Sequence, residues 1–177
     1  MTPQLTIALF WLMTGITAQT LKNVALRGRA TQSSLYYSID YGYLFNAINA
    51  IDGNLNSFYK YGSCSSTNLE DSPWWRVDLL DPHKISYIAI TSRGDCCGDR
   101  LNGGLILVGN SEDNNANNNP SCAEINAITN GATQTFQCNG MIGRYVNIIL
   151  PGRHQYLQLC EVQVFGVPEN TDSKCDK

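Results

Sequence analysis

The chain has 177 residues, 43% hydrophobic and 15% charged, with 12 Lys+Arg set against 15 Asp+Glu. A net charge of -3 gives no basic footprint for a phosphate backbone, which argues against nucleic-acid binding, and the chain is too apolar to be disordered. Its length is that of one ordinary domain with a real core, and its seven cysteines point to an oxidising compartment with one cysteine left over.

Taken in chain order, Leu5 to Ala18 (LTIALFWLMTGITA) is an apolar stretch too short to span a bilayer and ends in small residues. It reads as a secretory signal peptide over 1–18, even though no Lys or Arg precedes it. No second apolar span, lipidation signal or permitted Asn-x-Ser/Thr acceptor follows, so the expected product is soluble, secreted and not itself N-glycosylated. Next come a Tyr-rich segment, Leu35 to Phe45, and a loop from Lys60 to Asp71. Period-2, β-branched and aromatic runs then predict strands at Trp74–Leu80 and Ile85–Thr91, the loop Arg93–Asn102, and strands at Leu105–Val108, Arg144–Leu150 and Leu157–Phe165. The polar run Asp113–Asn119 reads as a flexible loop, and Val167–Lys177 as a tail. With no long helical period, the expected fold is all-β: a single-domain jelly-roll β-sandwich, discoidin-like, over 19–166, with binding loops at the sheet ends.

Nothing in the chain reads as catalytic. It has no nucleophile elbow, no zinc-type His spacing, and only two histidines, His83 and His154. The adjacent Cys96 and Cys97 either bridge elsewhere or close a strained ring on each other, and sequence arithmetic leaves on the order of a hundred pairings open. Arg93 and Arg100 supply forked donors and Asp95 an acceptor that can orient them; Arg93-Gly94-Asp95 also has the form of an integrin ligand. Asp52-Gly53-Asn54 looks like a turn and fails the EF-hand pattern.

Five strings carry a resemblance: GSC at 62–64, PWWRVDLL at 73–80, RGDCCGDR at 93–100, MIGRYV at 141–146 and LQLCEVQV at 157–164. Together they resemble the fucolectins, the F-type lectins that bind L-fucose, from about Asn23 to Val164. The resemblance implies disulfides Cys96–Cys97, Cys64–Cys160 and Cys122–Cys138, with the vicinal pair packing on a face of the sugar, and leaves Cys175 for an interchain bridge or a capped thiol. It implies a fucose site at Arg93, Asp95 and Arg100, with Phe58, Tyr59 and Tyr61 near the positions whose aromatics meet the sugar methyl. The family motif also has a histidine a fixed distance ahead of Arg-x-Asp; counted back from Arg93 that position is Ser66. Losing that imidazole hydrogen bond costs about 1 to 2 kcal/mol unless Ser66 or Thr67 replaces it. A calcium ion is implied at Asn49, Asp52, Asn54, Ser63, Cys160 and Glu161, all oxygen donors, as a brace for the sugar loops.

The function so implied is a secreted, calcium-containing lectin for terminal L-fucose, acting in innate immune recognition. Its partners would be fucosylated glycans, its membrane contact would run only through glycans, and it would form a homo-oligomer for avidity. Two alternatives share the fold: a discoidin-like adhesion or phospholipid-binding module, or a lectin redirected to another glycan because Ser66 replaces the histidine. The Tyr-rich segment is expected either to contact sugars beyond the fucose or to fold into the core.

Overall fold

A computed structural model describes Thr20 to Glu169. The expected signal peptide at 1–18 and Cys175 lie outside the described residues. The described chain is antiparallel β-structure joined by short 3-10 turns, with no α-helix.

Seven strands share one hydrogen-bonded array. Its axis is a pair of long strands, Trp74–Thr91 and Thr133–Ile149, each serving two leaves of a sandwich. The first half of Trp74–Thr91 pairs with Arg29–Gln32, and the second half with Glu161–Pro168. The end of Thr133–Ile149 pairs with Gly104–Gly109, which pairs in turn with Ser121–Ile125. The switch between leaves falls where Leu80 takes a left-handed φ of 74° and where the register breaks, after Gln137 and after Gly143. Bulges of this kind bend a strand out of one sheet and into the next.

The core lies between the leaves because the strands alternate. Trp75, Val77 and Leu79 from the first half point inward, as do Ile88 and Ile90 from the second, meeting Ile106, Val108, Val146, Ile148, Val162 and Val164. Trp75 is fully buried, and its indole Nε1 donates to the Ala47 carbonyl at 3.0 Å, which anchors the 3-10 turn Ala47–Ile51 to the sandwich. A second, smaller core holds Phe45, Tyr59, Cys64 and Cys160, with Tyr36 against it. It lies where the Tyr-rich segment meets the loop around Cys64, with Ser66 N donating to the Phe45 carbonyl.

Two sequence expectations change. The strand Glu161–Pro168 extends two residues beyond the expected boundary at 166, with Val167 and Pro168 paired to Lys84 and His83. The Asn-rich run is pinned rather than loose: fully buried Asn147 donates its Nδ2 to the Asn115 carbonyl at 3.0 Å and to Asn117 Oδ1 at 2.8 Å. Three consecutive residues there, Asn114, Asn115 and Ala116, hold left-handed φ angles, which asparagine tolerates better than most residues.

Candidate functional site

The loop Arg93–Leu101 leaves the end of the strand Trp74–Thr91 and is fixed at close range. Gly94 has no room for a side chain: a Cβ there would lie 2.3 Å from Ser57 Oγ and 3.3 Å from Gly131 Cα. Gly94 N donates to the Ser57 carbonyl at 2.8 Å, and Gly131 N to the Arg93 carbonyl at 3.0 Å. Asn130 Oδ1 accepts from Gly98 N at 2.7 Å, beside the bridged pair Cys96–Cys97. Cys97 adopts a left-handed φ of 65° just before the 3-10 turn Gly98–Leu101, which carries Arg100. Arg153 donates to the carbonyls of Arg100 and Asn102 and holds that turn from below.

These constraints place two guanidinium groups side by side. Arg93 donates through Nε and Nη2 to Asp95 Oδ1 and Oδ2 at 2.9 and 2.7 Å, and its Cζ lies 3.9 Å from the centroid of the Tyr59 ring. Tyr59 stacks in turn on Phe45, with centroids 3.9 Å apart and planes 4° from parallel. Asp95 also accepts from Tyr59 N at 3.2 Å, and its bonds to Arg93 hold the carboxyl below the usual aspartate range despite partial burial. Burial raises the Tyr59 phenol above its ordinary value, so it stays protonated; its hydroxyl meets no ideal hydrogen-bond partner, although Ser66 and Gln158 lie near. The second guanidinium, Arg100, lies 5.0 Å from the Tyr156 ring centroid. Between the two arginines Gln158 Oε1 accepts from Arg100 Nη1 at 3.1 Å and from Arg93 Nη1 at 3.5 Å.

Of the residues expected at a sugar site, Arg93, Asp95, Arg100, Cys96 and Cys97 therefore come together on one loop. Ser66 lies beneath them, fully buried, and bonds to Gln158 and Thr67 rather than facing outward. Tyr59 is buried between Arg93 and Phe45, so its ring faces are taken, whereas Phe58 is exposed and leans on Tyr61. The Arg-Gly-Asp string closes on itself through the Arg93–Asp95 pair, so its charges are not free in the manner of an integrin ligand. His83 is buried with its ring near the Asp81 carbonyl, and His154 pairs with Asp71 on the surface. Gln158 and Tyr156 were not singled out in the sequence.

The Tyr-rich segment splits between its two expected roles. Tyr36 and Phe45 fold into the small core, while Tyr37, Ile39, Tyr41, Tyr43 and Leu44 stand exposed on a hairpin formed by Tyr37–Ser38 and Tyr43–Leu44, with Ile39 at 87% exposure. Tyr41 meets Tyr59 edge-on at 6.3 Å, which links the hairpin to the arginine pair.

A second cluster lies on the other side of the Cys64–Cys160 bridge. Glu161 is fully buried, and neither of its carboxylate oxygens has a hydrogen-bond partner of good geometry, although the Gly53 N–H lies near. Burial, with the Asp52 charge adding to it, pushes its pKa up to about 7. Gly53 turns the chain toward it with a left-handed φ of 83°. Asn49 Nδ2 donates to the carbonyls of Gly62 and Cys64, and Ser63 Oγ donates to the Asn56 carbonyl, so the segment holding Asn49, Asp52, Asn54 and Ser63 is folded onto itself, with Asp52 and Gly53 near Glu161. A buried, unpaired carboxylate beside a second carboxylate and several neutral oxygens is the donor set a hard cation takes. Among the described residues no group of three or more His, Cys, Asp or Glu is placed to hold a metal ion, so a cation here would draw on two carboxylates and neutral oxygens.

The sequence profile of the NedA-like, galactose-binding domain family matches residues 49–148. Fucolectin-4 of Anguilla japonica is 53% identical over 144 residues, covering 81% of this chain and 79% of its own. The chain belongs to the fucolectin family. The crystal structure of an F-lectin (fucolectin) from Morone saxatilis (striped bass) serum superimposes with a TM-score of 0.82 at 46% identity, over 88% of this chain and 52% of that one. This fucolectin domain therefore spans about half the length of that striped bass chain. A Streptococcus pneumoniae fucose binding module, SpX-3, follows with a TM-score of 0.68 at 27% identity, over 81% and 97%. The jelly-roll fold, the single domain and the absence of an enzymatic role expected from the sequence agree with this membership. No helix among the described residues is long and apolar enough to cross a membrane.

Proposed function

We propose that the protein is an extracellular lectin that binds terminal L-fucose on glycans through Arg93, Arg100 and the Cys96–Cys97 face, and that calcium braces the site. The observation that carries this reading is the pair of neighbouring guanidinium groups set beside a vicinal disulfide, in a chain about half identical to named fucolectins. Charged forks donate to ring and hydroxyl oxygens, while the disulfide offers a polarisable apolar face to the sugar's carbon edge. Asn49, Asp52, Asn54, Ser63, Cys160 and Glu161 would hold the calcium, which supplies charge compensation rather than chemistry on the sugar.

Calorimetric titration with L-fucose should show binding by the wild type and a loss of at least about thirtyfold in Arg100→Ala, the scale of a lost charge-assisted hydrogen bond of about 2 kcal/mol. Wild-type protein that ignores fucose yet binds another sugar would redirect the site, as the absent imidazole at position 66 allows. Anionic vesicles binding in its place would favour the phospholipid-binding alternative.

The exposed hairpin is assigned to sugars beyond the fucose because Tyr41 abuts Tyr59 under Arg93. On a glycan array, Tyr37→Ala and Tyr41→Ala should alter the ranking of fucosylated oligosaccharides and leave monosaccharide affinity within about twofold. An unchanged ranking would remove the hairpin from the binding surface. Tyr36 is unsuited to this test, because its ring packs on Phe45 and Tyr156. Innate immune recognition and a homo-oligomer that multiplies weak single sites complete the reading by likeness to the family.

A further inference from the structure

Ser66 takes the place where the family motif has a histidine, yet it is fully buried beneath the arginine pair. Its hydroxyl proton is committed to the Thr67 carbonyl at 3.0 Å, so toward Gln158 its Oγ can only accept. Gln158, 4% exposed, donates Nε2 to that Oγ at 3.4 Å. This fixes which way the amide faces: nitrogen toward Ser66, oxygen toward the arginines. Both lone pairs of Oε1 then serve the two guanidinium groups.

The two arginines are not held equally. Arg93 has Asp95 and the Tyr59 face, whereas Arg100 has only Gln158 as a side-chain hydrogen-bond partner among the described residues, with Tyr156 at 5.0 Å. Two like charges side by side repel, and a shared neutral acceptor draws them together without neutralising either. A carboxylate in the same place would hold them too, but would compete with sugar oxygens for the same N–H donors.

We infer that Gln158, oriented by Ser66, is a positioning residue that sets the spacing and facing of Arg93 and Arg100 for the sugar. The inference deepens the fucose reading and rests on it. Two measurements on the calcium-loaded full domain test it. In sugar-free protein, NMR of the arginine side chains should show an Arg100 guanidinium whose rotation is slowed in the wild type and in Gln158→Glu, and free in Gln158→Leu. In calorimetry, L-fucose affinity should fall about tenfold in Gln158→Leu and about threefold in Ser66→Ala. Unfolding temperatures should stay close to wild type, which separates this role from a merely structural one. An Arg100 signal unaltered in Gln158→Leu overturns the inference, and so does a lowered unfolding temperature with unchanged affinity. Wild-type protein that binds no fucose, with Arg100 still loosened in Gln158→Leu, overturns the fucose reading and upholds the bridge between the arginines.

Discussion

Replacing Cys64 and Cys160 together with alanine is expected to lower the free energy of unfolding by about 4 to 5 kcal/mol. The bridge closes a loop with a sequence separation of 96, so its loss releases a large amount of chain entropy in the unfolded state. Both cysteines are fully buried in the small core with Phe45 and Tyr59, so the alanines also remove packing. Against a typical total of about 5 to 15 kcal/mol, that leaves a domain near its unfolding threshold at body temperature. Urea unfolding under non-reducing conditions should show a lower midpoint and a steeper slope, because the unlinked chain exposes more surface. The Cys122–Cys138 bridge gives the internal control: its separation of 16 predicts a cost of only about 3 kcal/mol. Equal losses from the two bridges would contradict the loop-entropy account.

Without calcium, the protein is expected to become less stable as pH rises from about 5 to 7.5, the reverse of the usual carboxylate behaviour. The sign follows from Glu161. Its folded pKa of about 7 stands above the unfolded value of 4.5, so between those values the folded state binds more protons than the unfolded one. Stability is therefore lost across that window as pH increases, by at most about 3 kcal/mol. Bound calcium should invert the slope, because a cation replaces the proton and needs the ionised carboxylate. Thermal unfolding in chelator and in millimolar calcium, at pH 5 and pH 7.5, reads both effects, and Glu161→Gln should flatten the chelator profile while weakening the response to calcium. Chelator that leaves the unfolding temperature unmoved at pH 7.5 would sink the calcium site.

The strands at the centre of the fold were legible because burial on one face imposes alternation: Trp75, Val77 and Leu79 announce a strand without help from their neighbours. Arg29–Gln32 was not legible, since Arg-Ala-Thr-Gln has no apolar period and becomes a strand only by pairing along Trp75 to Asp78. Ser121–Ile125 and the first half of Thr133–Ile149 are similarly polar and take their form from neighbours. The polar Asp81-Pro82-His83-Lys84 that follows Leu80, where the backbone takes a positive φ, hid the continuity of Trp74–Thr91.

At the site, Arg93, Asp95 and Arg100 stood out because charge and spacing survive in one dimension. Gln158 did not, because a glutamine inside an apolar strand reads as an ordinary alternation. A signal was nevertheless present. Ser66 and Gln158 each lie two residues from a cysteine of the same bridge, and that bridge sets Gln158 opposite Ser66 in the short ladder Ser65–Ser66 with Gln158–Leu159. Glu161 was singled out only by likeness; its lack of any hydrogen-bond partner is a property of the folded chain.

The closed pair between Arg93 and Asp95 has a bearing on the medium in which the protein works. It leaves Arg93 compensated and Arg100 without an acidic partner among the described residues, so capture of a neutral sugar there would displace few counterions and gain little from long-range attraction. Affinity for unsubstituted fucose should accordingly hold from dilute buffer to brine.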